Sequence, residues 1–365
     1  MDFTLGEELT AVRDLASEIF TDTATTERVR AVESTGMDEK LWHSLAEAGL
    51  LGIALPEVHG GAGLGMGGLC VVLEEQGKRV APVPLWPSAV AALVLAAHGS
   101  EQQRELLSSV ADGSARLTLA LEEFGAADPA SPECVAERAG SRWSLTGNKA
   151  SVPVPEGARA ILVSATGDEG ARLFLVDPAA PGLSWEAADT TSHQPCGHLR
   201  LDGAPAHAVG EPAALHDALH RAYVALAAVQ LGVAEGALRH AASYLSERKQ
   251  FGRPLATFQA VAHQLADCYI DIEAMSVTMW NAATHLDAGE PAERVALVAK
   301  WWATDAGQQV VHRVQHLHGG IGVDIDYPVH RHYLWGKQIA GTLGGPSADL
   351  ARLGSVLATT EVTTA

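Results

Sequence analysis

Closely spaced cysteines are missing from this 365-residue chain: Cys70, Cys134, Cys196 and Cys268 stand far apart. Their spacing excludes a CxxC zinc site and a secreted disulfide framework, and fits a reducing compartment. Positive charge is scarce. The 25 Lys and Arg against 44 Asp and Glu leave a formal charge of -19, so a nucleic-acid backbone would be repelled over most of the surface. No stretch keeps about 18 apolar residues together without charge, and Met1-Asp2-Phe3-Thr4 supplies neither a basic nor an apolar leader. A soluble, cytoplasmic protein with no membrane span is the expectation. Repeats, heptads and low-complexity tracts are absent too, and only Thr359 to Ala365 reads as a frayed tail. What is present is apolar residue: a 47% hydrophobic chain of this length buries a core large enough for about two or three domains.

The hydrophobic period divides the chain into three. From about residue 5 to 115, apolar residues such as Trp42, Leu45, Ala46, Leu50, Leu69, Val72 and Leu73 recur at helical spacing, with breaks at Pro56 and Gly60-Gly61. Between roughly 117 and 208 short β-prone runs alternate with Gly, Pro and Asp: Trp143–Leu145, Ala160–Val163, Arg172–Val176 and His198–Leu201. After Pro212 helical periods return, over about 214–248, 256–287, 291–318 and 328–358. The expected architecture is α+β, with an α-helical domain (1–115), a β-barrel domain (116–210) and a four-helix bundle (211–365).

Gly63, Gly65 and Gly68 match GxGxxG, but helical flanks replace the strand that a dinucleotide fold requires, and Pro82-Val83-Pro84 occupies the place of its second strand. His316, His318, His330 and His332 lack Cys or carboxylate neighbours at ligand spacing and read as structural histidines. Two segments carry more. Glu247 through Leu255, followed by Phe258-Gln259, ends one helix, turns through Gly252-Arg253-Pro254 and starts another. Such a turn collects an arginine, a glutamine and free helix N–H groups, a combination suited to a diphosphate. His316-Leu317-His318-Gly319-Gly320-Ile321-Gly322 follows a helix with glycines that let the backbone approach a flat or anionic ligand.

In this order, separated by two helices, the two segments resemble the acyl-CoA dehydrogenase family. The resemblance extends to Leu51-Gly52-Ile53, Pro56-Glu57, Gly60-Gly61-Ala62-Gly63, Leu145-Thr146-Gly147-Asn148-Lys149 and Asp326-Tyr327-Pro328-Val329. It implies that Arg248, Gln250, Phe251, Leu255, Gln259, Gly319 and Gly320 hold the nucleotide half of an FAD seated chiefly on an adjoining subunit. His316 stands at a position where glutamine is usual.

Desaturating an acyl-CoA thioester needs a carboxylate to take the α-proton as hydride leaves the β-carbon. The two positions at which the family carries that glutamate are here Ala340, within Ile339-Ala340-Gly341-Thr342, and Ala222. Flavin-ring elements are altered as well: Glu122-Glu123-Phe124-Gly125-Ala126-Ala127-Asp128 and Lys149-Ala150-Ser151-Val152-Pro153-Val154 lack the family's hydroxyl, tryptophan and threonine positions. The pattern resembles the base-lacking partner subunit of actinobacterial heteromeric steroid-side-chain acyl-CoA dehydrogenases. That resemblance implies an α2β2 assembly in which a second subunit supplies the glutamate, an acyl-CoA substrate, and an electron-transfer flavoprotein as electron acceptor. Three alternatives stay open: an autonomous dehydrogenase with Asp217 or Glu122 as relocated base, a flavin monooxygenase of the same fold, and a non-enzymatic scaffold or acyl-binding subunit.

Overall fold

A computed structural model of the chain describes residues 4–125, 128–140, 142–154 and 157–359. The readings at Ala126, Ala127 and the tail beyond Thr359 lie outside the described residues. Helices α1 (Glu7–Thr23), α2 (Thr26–Ala31), α3 (Glu39–Glu47), α4 (Gly65–Arg79), α5 (Leu85–His98), α6 (Glu101–Arg104) and α7 (Leu107–Ala111) come first. Strands β1 (Arg116–Ala120), β2 (Val135–Ala139), β3 (Arg142–Pro153), β4 (Ala158–Gly167), β5 (Gly170–Val176), β6 (Leu183–Ala188) and β7 (Cys196–Val209) follow. Then come α8 (Ala213–Glu247), a two-strand turn of β8 (Lys249–Gln250) and β9 (Arg253–Pro254), α9 (Gln259–Asp287), α10 (Glu293–His318), α11 (Val329–Gly341) and α12 (Pro346–Thr359). This is the expected α+β order of N-terminal helices, central sheet and C-terminal helices.

By compactness the chain forms two units. Unit 1 takes residues 1–30, 70–81 and 226–365, and unit 2 takes 31–69 and 82–225. Unit 2 contains strands β1 to β7. They run β1-β4-β2-β3-β7-β5, and β5 pairs again with β4, so the sheet closes on itself and leaves few open edges. Alternation fills its interior: Trp143 and Leu145 on β3, Ile161, Val163 and Ala165 on β4, Phe174 and Val176 on β5, and Leu199 and Leu201 on β7 are all buried. Trp143 meets Phe174 edge to face at 5.3 Å. One charge is buried with a partner. The Lys149 ammonium, fully buried, donates to Glu123 and to Ser164 Oγ (2.9 Å). Burial lowers the Lys149 pKa, and the Glu123 charge works against that shift.

Unit 1 is helical, and glycine sets how closely two of its helices pass. A Cβ on Gly232 of α8 would stand 1.9 Å from the Glu74 carbonyl oxygen of α4, and one on Gly77 of α4 would stand 2.2 Å from that of Val229. Only hydrogen at both positions permits this backbone contact. Lys78 Nζ pairs with Glu74 (2.6 Å) and Glu75 (2.7 Å) on its own helix and reaches Glu235 of α8 (3.0 Å) across the same crossing. Deeper in the unit the fully buried Lys300 and Asp349 pair at 3.4 Å, and Thr304 Oγ1 donates to Asp349 (3.0 Å), which fixes α12 to α10. The last helical period, expected as one segment over 328–358, is two helices. Leu343 at φ +58° and Gly344 at φ +113° leave helical space, and Pro346 begins the next helix where its missing N–H costs nothing.

Candidate functional site

The nucleotide-gripping residues expected from the sequence all lie in unit 1. α8 ends at Glu247, and a short hairpin pairs Lys249 with Pro254 and Gln250 with Arg253. Leu255 N–H closes the turn on the Arg248 carbonyl at 2.8 Å. Phe251 sits at the tip with φ +52° and 92% of its surface exposed. A bulky apolar residue in left-handed backbone, held in water, is costly unless another surface covers it. The Arg253 guanidinium lies 4.0 Å over the Phe258 ring, which stiffens the turn from below. Arg248, Gln250 and Gln259 are exposed and Leu255 is half-buried.

The second segment closes α10. Gly319 turns the chain at φ +62°, ψ -141°, and a single helical turn spans Gly319–Val323. Gly319 and Gly320 are exposed, and a Cβ at either would meet nothing within 4 Å, so open space adjoins this backbone. Gly322 differs: a Cβ there would strike the Gln315 carbonyl oxygen at 2.8 Å. His316 is exposed, whereas His318 is buried. The His318 ring stacks on Tyr244 at 4.8 Å and 18°, one helical turn before Arg248. That stack brings both segments to one end of unit 1, although 68 positions separate Arg248 from His316 in sequence. Composition and period gave no sign of it; the aromatic residues that flank the two motifs were the available signal.

His330 and His332 face backbone carbonyls. His330 Nδ1 donates to the Tyr327 carbonyl (2.7 Å), and His332 faces the carbonyls of Pro328 and Lys78, each at 3.4 Å. Burial pushes the His332 pKa down to about 3 and that of His240 to about 4, and their rings meet at 5.2 Å. Among the described residues no group of three or more His, Cys, Asp or Glu side chains could hold a metal ion. Gly65 and Gly68 open and continue α4 with no strand before them, so the GxGxxG match is a loop-to-helix junction.

The two positions at which the resemblance expects a base hold buried alanines: Ala340 is 4% exposed in α11, and Ala222 is fully buried in α8. Asp217 is already engaged in unit 2. Its Oδ2 accepts from Arg221 Nε (2.9 Å) and faces His98 Nε2 (3.0 Å). Glu122 is half-buried, and its carbonyl accepts from Ala150 N–H at 2.8 Å. In the altered flavin-ring segments, Phe124 packs edge-on to His198 at 4.7 Å, and His198 Nδ1 accepts from Ser151 N–H (3.2 Å). A cavity of about 740 Å³ in unit 2, lined in part by Glu33, Arg116, Trp185 and Asp189, includes none of the residues expected to grip a nucleotide.

The N-terminal domain of acyl-CoA dehydrogenases matches residues 6–114, and the C-terminal domain of the same family matches residues 212–350. The chain belongs to the acyl-CoA dehydrogenase family. It is therefore grouped with oxidoreductases, and its fold is the family's. It is 36% identical to acyl-CoA dehydrogenase FadE27 of Mycobacterium tuberculosis, over 99% of this chain and 100% of that one. Among solved structures it resembles a chain in a variant of the Tcur3481-Tcur3483 steroid acyl-CoA dehydrogenase, at 63% identity and TM-score 0.95, covering 97% of this chain and 99% of the other. It also resembles a chain of the ChsE4-ChsE5 complex from Mycobacterium tuberculosis, at 37% identity and TM-score 0.93, over 99% and 100%. No helix among the described residues is long and apolar enough to cross a membrane.

Proposed function

We propose that this chain is the base-lacking subunit of a heteromeric, FAD-dependent acyl-CoA dehydrogenase that desaturates a bulky acyl-CoA thioester such as a steroid side chain. The observation that carries the reading is an asymmetry. The Arg248 turn and the Gly319-Gly320 loop stand exposed together at one end of unit 1, while both family base positions hold buried alanines. The two complexes it resembles are each named by a pair of chains, one of them as a steroid enzyme. We include in the proposal the division into domains at 1–115, 116–210 and 211–365, an α2β2 assembly in which the partner supplies the glutamate, and electron-transfer flavoprotein as acceptor.

The residues present fit the nucleotide end of FAD, because open backbone at Gly319 and Gly320 admits a close ligand and Arg248, one helical turn after the ring stacked on His318, offers a fixed charge. When bound, FAD accepts the hydride from the thioester's β-carbon. Arg248 would neutralise the diphosphate, Gln250 and Gln259 would donate to its polar edge, and Phe251 with Leu255 would shield it from water. His316 supplies a ring nitrogen where an amide is usual. Each of these residues binds or orients, and none moves the substrate proton.

Production of the chain alone and together with its proposed partner tests the reading. The lone chain is expected to purify without stoichiometric flavin and without desaturase activity, and the pair to show both. Full activity in the lone chain refutes it. Against the autonomous alternative, the Asp217 carboxylate already pairs with Arg221 and His98.

A further inference from the structure

Beneath the exposed grip lies a cluster of three rings. His318 and Tyr244 stack at 4.8 Å, Tyr327 lies 5.4 Å from His318 at 54°, and Tyr327 meets Tyr244 at 6.2 Å and 65°. Each ring belongs to a different piece of the grip. Tyr244 precedes Arg248 by one turn, and its carbonyl accepts the Arg248 N–H at 2.8 Å. His318 is the last residue of α10, next to Gly319. Tyr327 follows the loop and precedes α11, its N–H donating to the Asp324 carbonyl at 3.1 Å.

We infer that the Tyr244–His318–Tyr327 cluster is the positioning element of the cofactor grip, locking the arginine turn and the glycine loop at the separation that the nucleotide half of FAD requires. The inference rests on the proposed function and adds Tyr244, His318 and Tyr327 to the residues expected to hold the cofactor. His318 cannot act by contact, because it is 4% exposed. It does not act by charge either. Its Nδ1–H donates to the Val314 carbonyl at 2.7 Å, and burial lowers its pKa, which disfavours a charge on the ring. What remains is shape: a flat, rigid ring between two others. The glycine loop needs such a support, since Gly319 at φ +62° and the open space around Gly319 and Gly320 leave it few contacts of its own. A cofactor site built on two separate segments loses affinity when their spacing is free to vary, because binding must then restrict it.

The test measures FAD affinity of the deflavinated heteromer by flavin fluorescence, for wild type and for Arg248→Ala, His318→Ala and His318→Phe. His318→Ala is expected to bind FAD about tenfold more weakly, the scale of one to two aromatic contacts. His318→Phe, which keeps the plane and drops the Nδ1 donor, is expected to stay within about twofold of wild type by the same reasoning. A structural role alone would lower the melting temperature of the flavin-free protein without this split between Ala and Phe. If Arg248→Ala weakens binding while His318→Ala does not, the inference falls and the proposed function stands. If Arg248→Ala leaves affinity intact, the proposed function falls and takes the inference with it. Equal weakening by Ala and Phe also overturns the positioning role. Should His318→Ala fail to fold, Tyr327→Leu removes the half-exposed ring instead, and wild-type affinity in that variant overturns the inference.

Discussion

Replacing Gly232 with alanine sets two effects of opposite sign against each other. In a helix, alanine is more favourable than glycine by about 1 kcal/mol. At this position the new Cβ would lie 1.9 Å from the Glu74 carbonyl oxygen, where ordinary contact begins at 3.4 Å, so α4 and α8 must part by the difference, 1.5 Å. The obstacle is backbone on a second helix, which cannot swing aside as a side chain would. Separation also opens the neighbouring approach of Gly77 to Val229 and lengthens the reach from Lys78 to Glu235. Overpacking of this kind costs up to about 3 kcal/mol or somewhat more, so a net loss of about 2 kcal/mol is expected. Gly354 supplies the control: it lies in α12, and a methyl group added there would meet nothing within 4 Å, so alanine should stabilise by about 0.5–1 kcal/mol. Guanidinium unfolding of the full chain, followed by circular dichroism, separates the two variants. Equal shifts of the same sign would refute the claim that glycine is required at the crossing.

Two further outcomes follow from buried charge. His332 has its pKa held near 3 by burial, below its ordinary 6.5, so it contributes stability above about pH 6.5 that is lost as pH falls towards 3. By pH 5 that single group should cost about 2 kcal/mol, and a His332→Gln chain should show a pH slope of unfolding shallower by that amount; an unchanged slope contradicts the assignment. Asp217→Asn should lower stability by about 1–2 kcal/mol through loss of its links to Arg221 and His98. It should leave desaturation by the heteromer unchanged in a steady-state assay, and loss of turnover with intact folding would restore Asp217 as the base.

The helices and the barrel were legible because periodic burial is a local property: Trp143, Leu145, Ile161, Val163, Phe174 and Val176 alternate in sequence as they do in space. The break between α11 and α12 was legible too, in Leu343-Gly344-Gly345-Pro346, but the long apolar period on either side outweighed it. The two motifs of the candidate site could be named from residue type alone. Their meeting could not, since it depends on a ring stack between residues 244 and 318 that no local pattern encodes. The contact of Gly77 with Val229 was hidden for the same reason, as was the engagement of Asp217 by His98 across the interval from α5 to α8.

The patchwork origin of unit 1 bears on how the chain is made. Its first helix emerges from the ribosome long before α8 to α12, and all of the residues of unit 2 are synthesised before most of unit 1 exists. Closing so wide a gap costs loop entropy and leaves the face of α4 at Glu74, Gly77 and Lys78, which α8 covers with Val229, Gly232 and Glu235, uncovered in the meantime. Nascent chains halted before residue 226 should therefore expose that surface to holdase chaperones, and only release of the finished polypeptide should end the exposure.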